Sequence, residues 1–319
     1  MVKLTINGKK VKAKEGSTVL QAAREHGIEI PTLCHNDALE SFGSCRLCIV
    51  EIEKNGRTAI EASCTYPAED GLTVKTNSPR VLEGRKLVIE LLLARCPNVK
   101  KVQQLAIEYG VPGSAPEFGK DNEYCILCGL CVRACNEVVE AGAIQFAGKG
   151  VNRMVDSPFH ETAQDCIACG SCAFVCPTGI VKKNDLETSA VCSPDGCEQT
   201  GPQREILNWR VEAGMITCAK CGNPYAPAVH LEKIAKKHGY TMDFFNLCPS
   251  CRTVPRIDKD LCTACNACIM ACPVGASQFV EDGEDQTTYI FPNNCCGCNS
   301  CVEVCGWGAI KIEDEITGA

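Results

Sequence analysis

The residues of this sequence best suited to chemistry are its cysteines, of which there are 28 among 319 residues. Four runs share the spacing C-x2-C-x2-C-x3-C, so each run offers four thiols within a short stretch of chain. Thiols grouped in this way bind metal in reducing compartments, where disulfides are rare. The runs occupy residues 125–135, 166–176, 262–272 and 295–305. They fall into two pairs, and each pair predicts one compact module.

This spacing is the one with which bacterial ferredoxins hold cubane [4Fe–4S] clusters. Three cysteines separated by two residues curl around one corner of the cube, and small residues between them let backbone N–H groups approach the sulfides. We expect the fourth cysteine to begin a helix that points away, so that it reaches the cluster of the partner run. The predicted ligand sets are therefore crossed: Cys125, Cys128, Cys131 with Cys176; Cys166, Cys169, Cys172 with Cys135; Cys262, Cys265, Cys268 with Cys305; Cys295, Cys298, Cys301 with Cys272. Zinc or disulfides are the alternative for a single run, but four runs in paired registers argue against both.

Four further cysteines lie near the N-terminus with the spacing C-x10-C-x2-C-x15-C, namely Cys34, Cys45, Cys48 and Cys64. Plant-type ferredoxins use C-x4-C-x2-C before a distant fourth cysteine, so the first interval here is longer. A zinc site is the alternative for such a set.

The residues around these cysteines carry a family resemblance. With Gly43-Ser-Cys-Arg-Leu-Cys48 and Ser63-Cys-Thr-Tyr-Pro67, the segment resembles the [2Fe–2S] domain that opens FeFe hydrogenases, the diaphorase iron–sulfur subunit of NAD-reducing hydrogenases and the large peripheral subunit of complex I. NAD-linked formate dehydrogenases carry it too. The resemblance covers about residues 1–182, and it implies a β-grasp fold with one [2Fe–2S] cluster on these four cysteines.

The sequence departs from these relatives after the first domain. They usually place one histidine and three cysteines there, which hold another cubane cluster. The corresponding stretch from Leu91 to Tyr109 has one cysteine, Cys96, and no histidine. We therefore expect that cluster to be absent, and we expect Cys96 to be packed rather than bonded to iron.

A segment between the two modules holds a different thiol arrangement, in which two C-x2-C turns supply Cys218, Cys221, Cys248 and Cys251. Four thiolates in two such turns suit tetrahedral zinc. The turns also look like those of rubredoxin, which holds one iron, but the aromatic core of rubredoxin is missing and Arg252 replaces its second glycine. Structural zinc is therefore favoured over redox iron. His230 and the basic run 233–238 are expected on a solvated helix face rather than among the ligands.

Three more cysteines have no predicted ligand role. Cys192 and Cys197 flank a Ser-Pro-Asp-Gly turn that can bring their thiols together, for a further metal site, a partner contact or no function. Cys296 is expected to be a bystander beside Cys295.

The sequence predicts the strands and helices that position the N-terminal cysteines. Alternating apolar residues around Asn7-Gly8 and around Asn55-Gly56 predict two β-hairpins. Residues 18–27 predict a short helix that Ser17 or Thr18 caps and Gly27 stops. A second helix is predicted over residues 81–95, and its apolar run 87–94 is expected to dock on the sheet. The Gly- and Pro-rich stretch 110–119 is typical of a linker.

We therefore expect an α+β protein with a β-grasp [2Fe–2S] domain, two dicluster ferredoxin modules and a zinc-ribbon-like insertion. The predicted segments are 1–95 for the [2Fe–2S] domain, 96–120 for a helical linker without the additional cubane cluster, 121–190 for the first module, 191–255 for the Cys-rich segment and 256–319 for the second module.

Composition excludes several other classes of protein. The formal charge of −7 argues against nucleic acid as a partner, and no apolar stretch approaches the 18 residues of a membrane span. Aromatic residues make up only 5% of the chain, so bound metal must help to hold its small cores. The first residues form a charged strand without an apolar signal region, which predicts a cytoplasmic location, and the thiol inventory suits an anaerobic setting.

Five clusters in one chain indicate an electron conduit, because clusters exchange electrons only when they lie close together. We expect an electron-transfer subunit of a multi-subunit NAD(P)-linked oxidoreductase, with a flavin- and NAD-binding diaphorase and a catalytic subunit or soluble ferredoxin as partners. The terminal substrate stays open among hydrogen, formate and an aldehyde, and the second module suggests a branch such as electron bifurcation uses. The alternatives are a free-standing polyferredoxin carrier or a zinc-ribbon assembly factor. An enzyme in its own right is disfavoured, since no G-x-G-x-x-G follows a strand.

Overall fold

A computed structural model describes residues 1–112, 124–187, 189–193, 196–282, 285–291 and 294–312. The chain forms two compact units, and it crosses between them more than once. The first unit comprises Met1–Asn184 and Glu205–Glu212, and the second comprises Asp185–Arg204 and Ala213–Ala319. Among the residues described, no helix is both long enough and apolar enough to cross a membrane.

The first unit begins with a mixed five-stranded sheet. Its strands are β1 (Val2–Ile6), β2 (Lys9–Ala13), β3 (Ile49–Lys54), β4 (Arg57–Ala62) and β5 (Thr73–Lys75), in the order β2-β1-β5-β3-β4. β1 and β5 are parallel, and the other neighbours are antiparallel. Alternate residues such as Leu4 and Ile6 are buried, as a half-buried strand requires. Both predicted hairpins are confirmed.

Helix α1 (Val19–Glu25) packs on this sheet and carries the predicted cap. The Thr18 backbone N–H donates to Gln21 Oε1 at 2.8 Å, and the Gln21 N–H donates to Thr18 Oγ1 at 3.3 Å. This reciprocal capping box satisfies two helix-terminal donors, which is why Thr18 rather than Ser17 is the cap.

Two longer helices follow, α2 (Pro79–Arg95) and α3 (Lys100–Tyr109). The structure places the apolar run 87–94 differently from our prediction. The contact with the sheet comes from earlier in α2, where the buried Arg85 donates to Leu47 O at 3.1 Å and to Ile49 O at 2.8 Å. The later part of the run packs with α3 in a separate apolar cluster, and two of its leucines stay exposed. The predicted linker 110–119 lies outside the described residues from 113 onwards.

The first ferredoxin-type module is built on two short helices, α4 (Leu130–Arg133) and α5 (Ser171–Val175), with a small hairpin of β6 (Gln145–Ala147) and β7 (Met154–Asp156). A π-helical turn continues α4 and contains Cys135. Helix α5 ends just before Cys176, so the fourth cysteine of this run follows a helix and does not begin one as we predicted. Each helix starts directly after a glycine in the left-handed region, Gly129 at φ 73° and Gly170 at φ 81°. A Cβ on Gly129 would lie 3.1 Å from the Phe146 ring, so this position needs a glycine for space as well as for φ.

Strands and one helix connect the two modules. They are β8 (Lys183–Leu186), β9 (Ser189–Ser193), β10 (Gly196–Thr200), β11 (Gln203–Ile206), β12 (Val211–Thr217), β13 (Pro224–Pro227) and α6 (Ala228–His238). The hairpin of β9 and β10 pairs Cys192 with Cys197 in its backbone register. Helix α6 confirms the predicted helical stretch with its basic last turn.

The second ferredoxin-type module repeats the plan of the first in the second unit. Its helices are α7 (Ala267–Ala271) and α8 (Ser300–Glu303), and its strands are β14 (Arg256–Ile257), β15 (Ser277–Asp282), β16 (Asp285–Ile290) and β17 (Ile310–Lys311). Here asparagines precede the helices in the left-handed region, Asn266 at φ 64° and Asn299 at φ 60°. Asparagine tolerates this conformation because its short amide can bond locally.

Candidate iron–sulfur and metal centres

The four N-terminal cysteines meet in a buried site at the edge of the first sheet. Their thiols form two pairs, Cys34 with Cys45 and Cys48 with Cys64. A hydrogen bond from the Cys45 thiol, helped by backbone N–H groups, lowers the pKa of Cys34 to about 6. The Cys64 thiol lowers the pKa of Cys48 to about 6 in the same way. Two thiol pairs in one buried site fit a [2Fe–2S] group, whose two irons each take two cysteines.

The long interval between Cys34 and Cys45 forms a loop that contacts the first module. The Arg133 guanidinium donates to Cys34 O at 2.7 Å and to Glu40 O. The Glu40 N–H donates in turn to a Glu137 carboxylate oxygen at 2.9 Å. Phe42 stacks on Phe146, with ring centroids 6.3 Å apart. The extra residues of this interval therefore join the N-terminal site to the module.

The first module brings together both of its predicted crossed sets. A cavity of about 210 Å³ is lined by the first three cysteines of run 125–135 together with Cys176. The first three cysteines of run 166–176 line another cavity with Cys135. In each case the fourth thiol of one run joins the three thiols of the other. Burial raises the pKa of Cys128 to about 12, because it disfavours the charged thiolate. A cationic partner such as iron stabilises the thiolate form in such a site.

The second module arranges its thiols in the same way. Cys305 lines a cavity with the first three cysteines of run 262–272. Cys272 lies near the thiols of Cys295 and Cys301 and raises the pKa of both, although burial is the larger cause. Two thiols of this module, those of Cys265 and Cys298, belong to exposed residues.

The two C-x2-C turns of the middle segment also converge. The Sγ atoms of Cys218, Cys221, Cys248 and Cys251 all lie within 4.8 Å of one another. Backbone N–H groups of Cys248 and Cys221 lower the pKa of Cys218 to about 6, and the Cys248 N–H reaches Cys218 Sγ at 3.3 Å. Four thiols at this separation fit one tetrahedral ion, as zinc or a single iron requires.

An aromatic cluster lies beside this four-thiol site. Tyr240, Phe244 and Phe245 pack together, with the Tyr240 and Phe244 rings stacked at 4.3 Å. The Tyr225 hydroxyl donates to Phe245 O, and the Arg252 guanidinium lies 4.8 Å from the Phe244 ring centroid. The three rings lie within six residues of one another in the sequence, but the sequence analysis did not identify the cluster they form.

Arginines lie beside several of the thiol sites. The sequence analysis did not identify these individual arginines. Arg95 donates to Cys125 O at 3.3 Å, and Arg133 donates to Cys34 O. In the second unit, the charge of Arg252 acts on Cys295. Cationic side chains next to thiolates offset the negative charge that clusters bring.

Trp209 is a further functional candidate that the sequence analysis missed. Its indole Nε1–H donates to Cys172 Sγ at 3.3 Å, and the side chain is only 4% exposed. Burial raises the pKa of Cys172 to about 11, and the indole hydrogen bond acts in the opposite direction. Its only sequence signal was that the chain has just two tryptophans.

Cys96, Cys296 and His230 do not belong to any of these thiol sets. Cys96 is fully buried in the apolar cluster around α3, and its thiol donates to Cys125 O at 3.1 Å. The thiol of Cys296 lies beside that of Cys298. His230 lies half-buried on α6, where burial and Arg204 lower its pKa. The side chains of Cys192 and Cys197 lie outside the described residues.

Comparison with known proteins agrees with this distribution of sites. Residues 1–79 match the 2Fe-2S iron-sulfur cluster binding domain, and residues 124–180 and 255–312 each match a 4Fe-4S dicluster domain. These three matches confirm one [2Fe–2S] domain and two [4Fe–4S] ferredoxin-type domains in a mixed helix and strand protein.

Individual relatives point to the same group of proteins. The chain is 34% identical over 229 residues to the NADP-reducing hydrogenase subunit HndD of Solidesulfovibrio fructosivorans, covering 61% of this chain and 39% of that protein. It is 36% identical over 251 residues to a subunit of an NADH-quinone oxidoreductase of Rhizobium meliloti, covering 67% and 29%. A chain of a solved NAD+-reducing [NiFe]-hydrogenase is 32% identical, covering 49% of this chain and 75% of that chain, with a TM-score of 0.44. The chain thus spans less than two fifths of the two curated relatives, and the predicted resemblance to them is confirmed.

Proposed function

We propose that this relative of hydrogenase and NADH-quinone oxidoreductase iron–sulfur subunits relays single electrons within a multi-subunit NAD(P)-linked oxidoreductase. The observation that carries the proposal is the loop between Cys34 and Cys45, which Arg133 ties to the first module. This contact brings the [2Fe–2S] thiols and a [4Fe–4S] thiol set into one packed unit, and electrons pass efficiently only between centres held close together. A free-standing carrier would not explain why relatives of this domain occur in larger assemblies.

The proposed cofactors are one [2Fe–2S] cluster, four [4Fe–4S] clusters and one zinc. The ligand sets are the N-terminal four thiols, the four crossed sets of the two modules and the four-thiol site of the middle segment. When bound, each cluster accepts and donates one electron with little change in geometry. The protein fixes the thiolates, supplies N–H donors and excludes water around them. The five segments predicted from the sequence remain part of this proposal.

Iron rather than zinc is the second candidate for the middle site, because the structure places an aromatic cluster beside it. Arg252, which follows Cys251 in the sequence, lies over the rings of both Phe244 and Phe245. A single iron there would add a sixth redox centre to the chain. Metal analysis decides between the two, since zinc leaves the site colourless and iron does not.

The proposed partners are a flavin- and NAD-binding diaphorase and a catalytic oxidoreductase subunit or a soluble ferredoxin. The relatives support this, since they are subunits of an NADP-reducing hydrogenase and an NADH-quinone oxidoreductase. A second dicluster module gives the relay a second arm, as branching of electrons between two acceptors requires.

The test is to purify the chain anaerobically from its natural source together with whatever it binds. We expect a brown protein with about 18 iron and 18 acid-labile sulfide per chain, which is the content of five such clusters, and a flavoprotein in the same complex. A colourless chain without acid-labile sulfide contradicts the cluster assignment. A cluster-loaded chain that is monomeric and diffuses freely contradicts the subunit role and favours a polyferredoxin carrier.

A further inference from the structure

We infer that Trp209 raises the reduction potential of one cluster, the one that Cys172 ligates, by donating its indole N–H to the Cys172 thiolate. This cluster, named the Cys172 cluster, has the proposed ligands Cys135, Cys166, Cys169 and Cys172. The inference rests on the proposed function, because it requires a cluster at that site.

The geometry of the contact is that of a buried hydrogen bond. The indole Nε1 lies 3.3 Å from Cys172 Sγ, and both side chains are buried. An indole N–H is a donor only, so a buried tryptophan needs an acceptor, and the thiolate sulfur supplies one. Trp209 lines both thiol cavities of the first module, so its ring helps to enclose both thiol sets.

The position of Trp209 is fixed by the short segment that carries it. Residues Glu205–Glu212 belong to the first unit, although the residues on both sides of them belong to the second. The segment is held through Asn208 Oδ1, which accepts from Lys182 N at 2.8 Å, and through Trp209 O, which accepts from Ala163 N at 3.2 Å. Trp209 is therefore held in place by its backbone and not by apolar packing alone.

A charged contact of Arg210 also holds this segment. Arg210 adopts the left-handed region at φ 56°, and its guanidinium donates to Asp156 Oδ1 at 3.3 Å and to Ser157 Oγ at 3.4 Å. Asp156 and Ser157 are buried. This contact fixes the residue next to Trp209, so the indole is oriented before any cluster is reduced.

The effect on potential follows from charge. Reduction adds one electron, part of whose charge reaches the thiolate sulfurs, so a donor to sulfur stabilises the reduced state more than the oxidised state. Removing the donor therefore lowers the potential of this cluster. Among the described residues, Cys172 is the one cluster thiol that accepts an indole N–H, and Trp209 lines only the cavities of the first module, so the clusters of the second module serve as internal references.

The chain offers a matched control in its other tryptophan. Trp307 lines the thiol cavity of the second module that contains Cys305, but it is 61% exposed. Its replacement changes an indole near a cluster without removing a buried donor to sulfur.

The first experiment is a redox titration of the anaerobic full chain, followed by electron paramagnetic resonance. The variants are Trp209→Phe, which keeps an aromatic ring and loses the N–H, and Trp307→Phe. The signal of the Cys172 cluster is the one that Cys166→Ser removes. In Trp209→Phe we expect the equilibrium constant for reduction of this cluster to fall about tenfold, or 59 mV for one electron. Trp307→Phe should leave it unchanged.

A second measurement does not need a variant at Trp209 to fold. Trp307→Phe is prepared with ¹⁵N in its indole nitrogen, so that Trp209 carries the one label, and pulsed electron paramagnetic resonance is recorded on the reduced Cys172 cluster. We expect a nitrogen coupling that a merely structural tryptophan would not give.

The two ways of failing are distinct. An intact Cys172 cluster with an unchanged potential in Trp209→Phe, or without ¹⁵N coupling in the labelled chain, overturns the role of Trp209 alone. A wild-type chain with no [4Fe–4S] signal at all contradicts the proposed function itself.

Discussion

The two ferredoxin-type modules share one cysteine spacing and differ in what covers them. The first module is covered by the loop that carries Phe42 and by the buried Trp209. The second module leaves Cys265 and Cys298 exposed, whereas none of the eight predicted ligand cysteines of the first module is exposed. The same spacing therefore groups the thiols in the same way but does not determine their access to solvent or to partners.

This difference assigns different tasks to the modules within the proposed relay. A covered cluster exchanges electrons mainly with centres inside its own unit, because distance limits transfer. A cluster near the surface is close enough to a second protein to exchange electrons with it. We therefore propose the second module as the arm that meets a partner.

The largest expected effect tests whether the modules share the crossed arrangement. Cys176→Ser should damage the cluster of Cys125, Cys128 and Cys131, and not that of its own run, because its side chain lines the cavity of the former. Cys305→Ser should act in the same way on the cluster of run 262–272. Iron and sulfide content should fall by up to about one cluster. Cys296→Ser is the control and should lose none; damage to the variant's own run would contradict the crossed sets.

The next effect sharpens the contrast in exposure. On titration with an iron chelator under limited air, the signals of the second module should disappear several-fold faster than those of the first, since its thiols are accessible. The measurement is the decay of each [4Fe–4S] signal, assigned with the Cys176→Ser and Cys305→Ser chains. Equal decay of both modules would show that exposure does not distinguish them.

A smaller effect concerns one arginine in each unit that donates hydrogen bonds to backbone carbonyl groups. Arg133→Met leaves the buried Cys34 O and the part-buried Glu40 O without their donor, which should cost about 1–3 kcal/mol of stability in the first unit. The measurement is the thermal midpoint of the anaerobic chain, together with the potential of the [2Fe–2S] cluster, which should fall. Arg252→Met removes the bonds to Leu247 O and Phe244 O in the second unit and is the matched variant, with a smaller cost because Arg252 is only half-buried. An unaltered midpoint in Arg133→Met would show that the loop is held by other contacts.

The smallest effect tests the helix starts. Gly129→Ala introduces a Cβ at φ 73° and 3.1 Å from Phe146, and it should destabilise the first module by about 1–2 kcal/mol. Asn266→Gly should change the second module by only a few tenths of a kcal/mol, since both residues accept the left-handed region. Thermal midpoints measure both, and a stable Gly129→Ala chain would mean that the two starts are interchangeable.

How much the sequence predicted depends on how local the cause is. The crossed thiol sets and the hairpins around Asn7 and Asn55 were predictable, because ligand spacing and turn chemistry act within a few residues. The packing of run 87–94 was not, since an apolar run shows that a face is buried but not against which element. Trp209 escaped because its acceptor depends on the chain returning to the first unit. The bond from Arg133 to Cys34, 99 residues apart in sequence, escaped for the same reason.

The return of residues 205–212 to the first unit has a consequence for biosynthesis. On the ribosome, the thiols of the first module emerge before Trp209 does, and the chain that separates them must still be translated. During that interval the module is open on the side that the indole later occupies. Delivery of iron and sulfide by an assembly scaffold is therefore easiest before the returning segment is made, and a nascent chain halted short of it should load its clusters readily and lose them as readily.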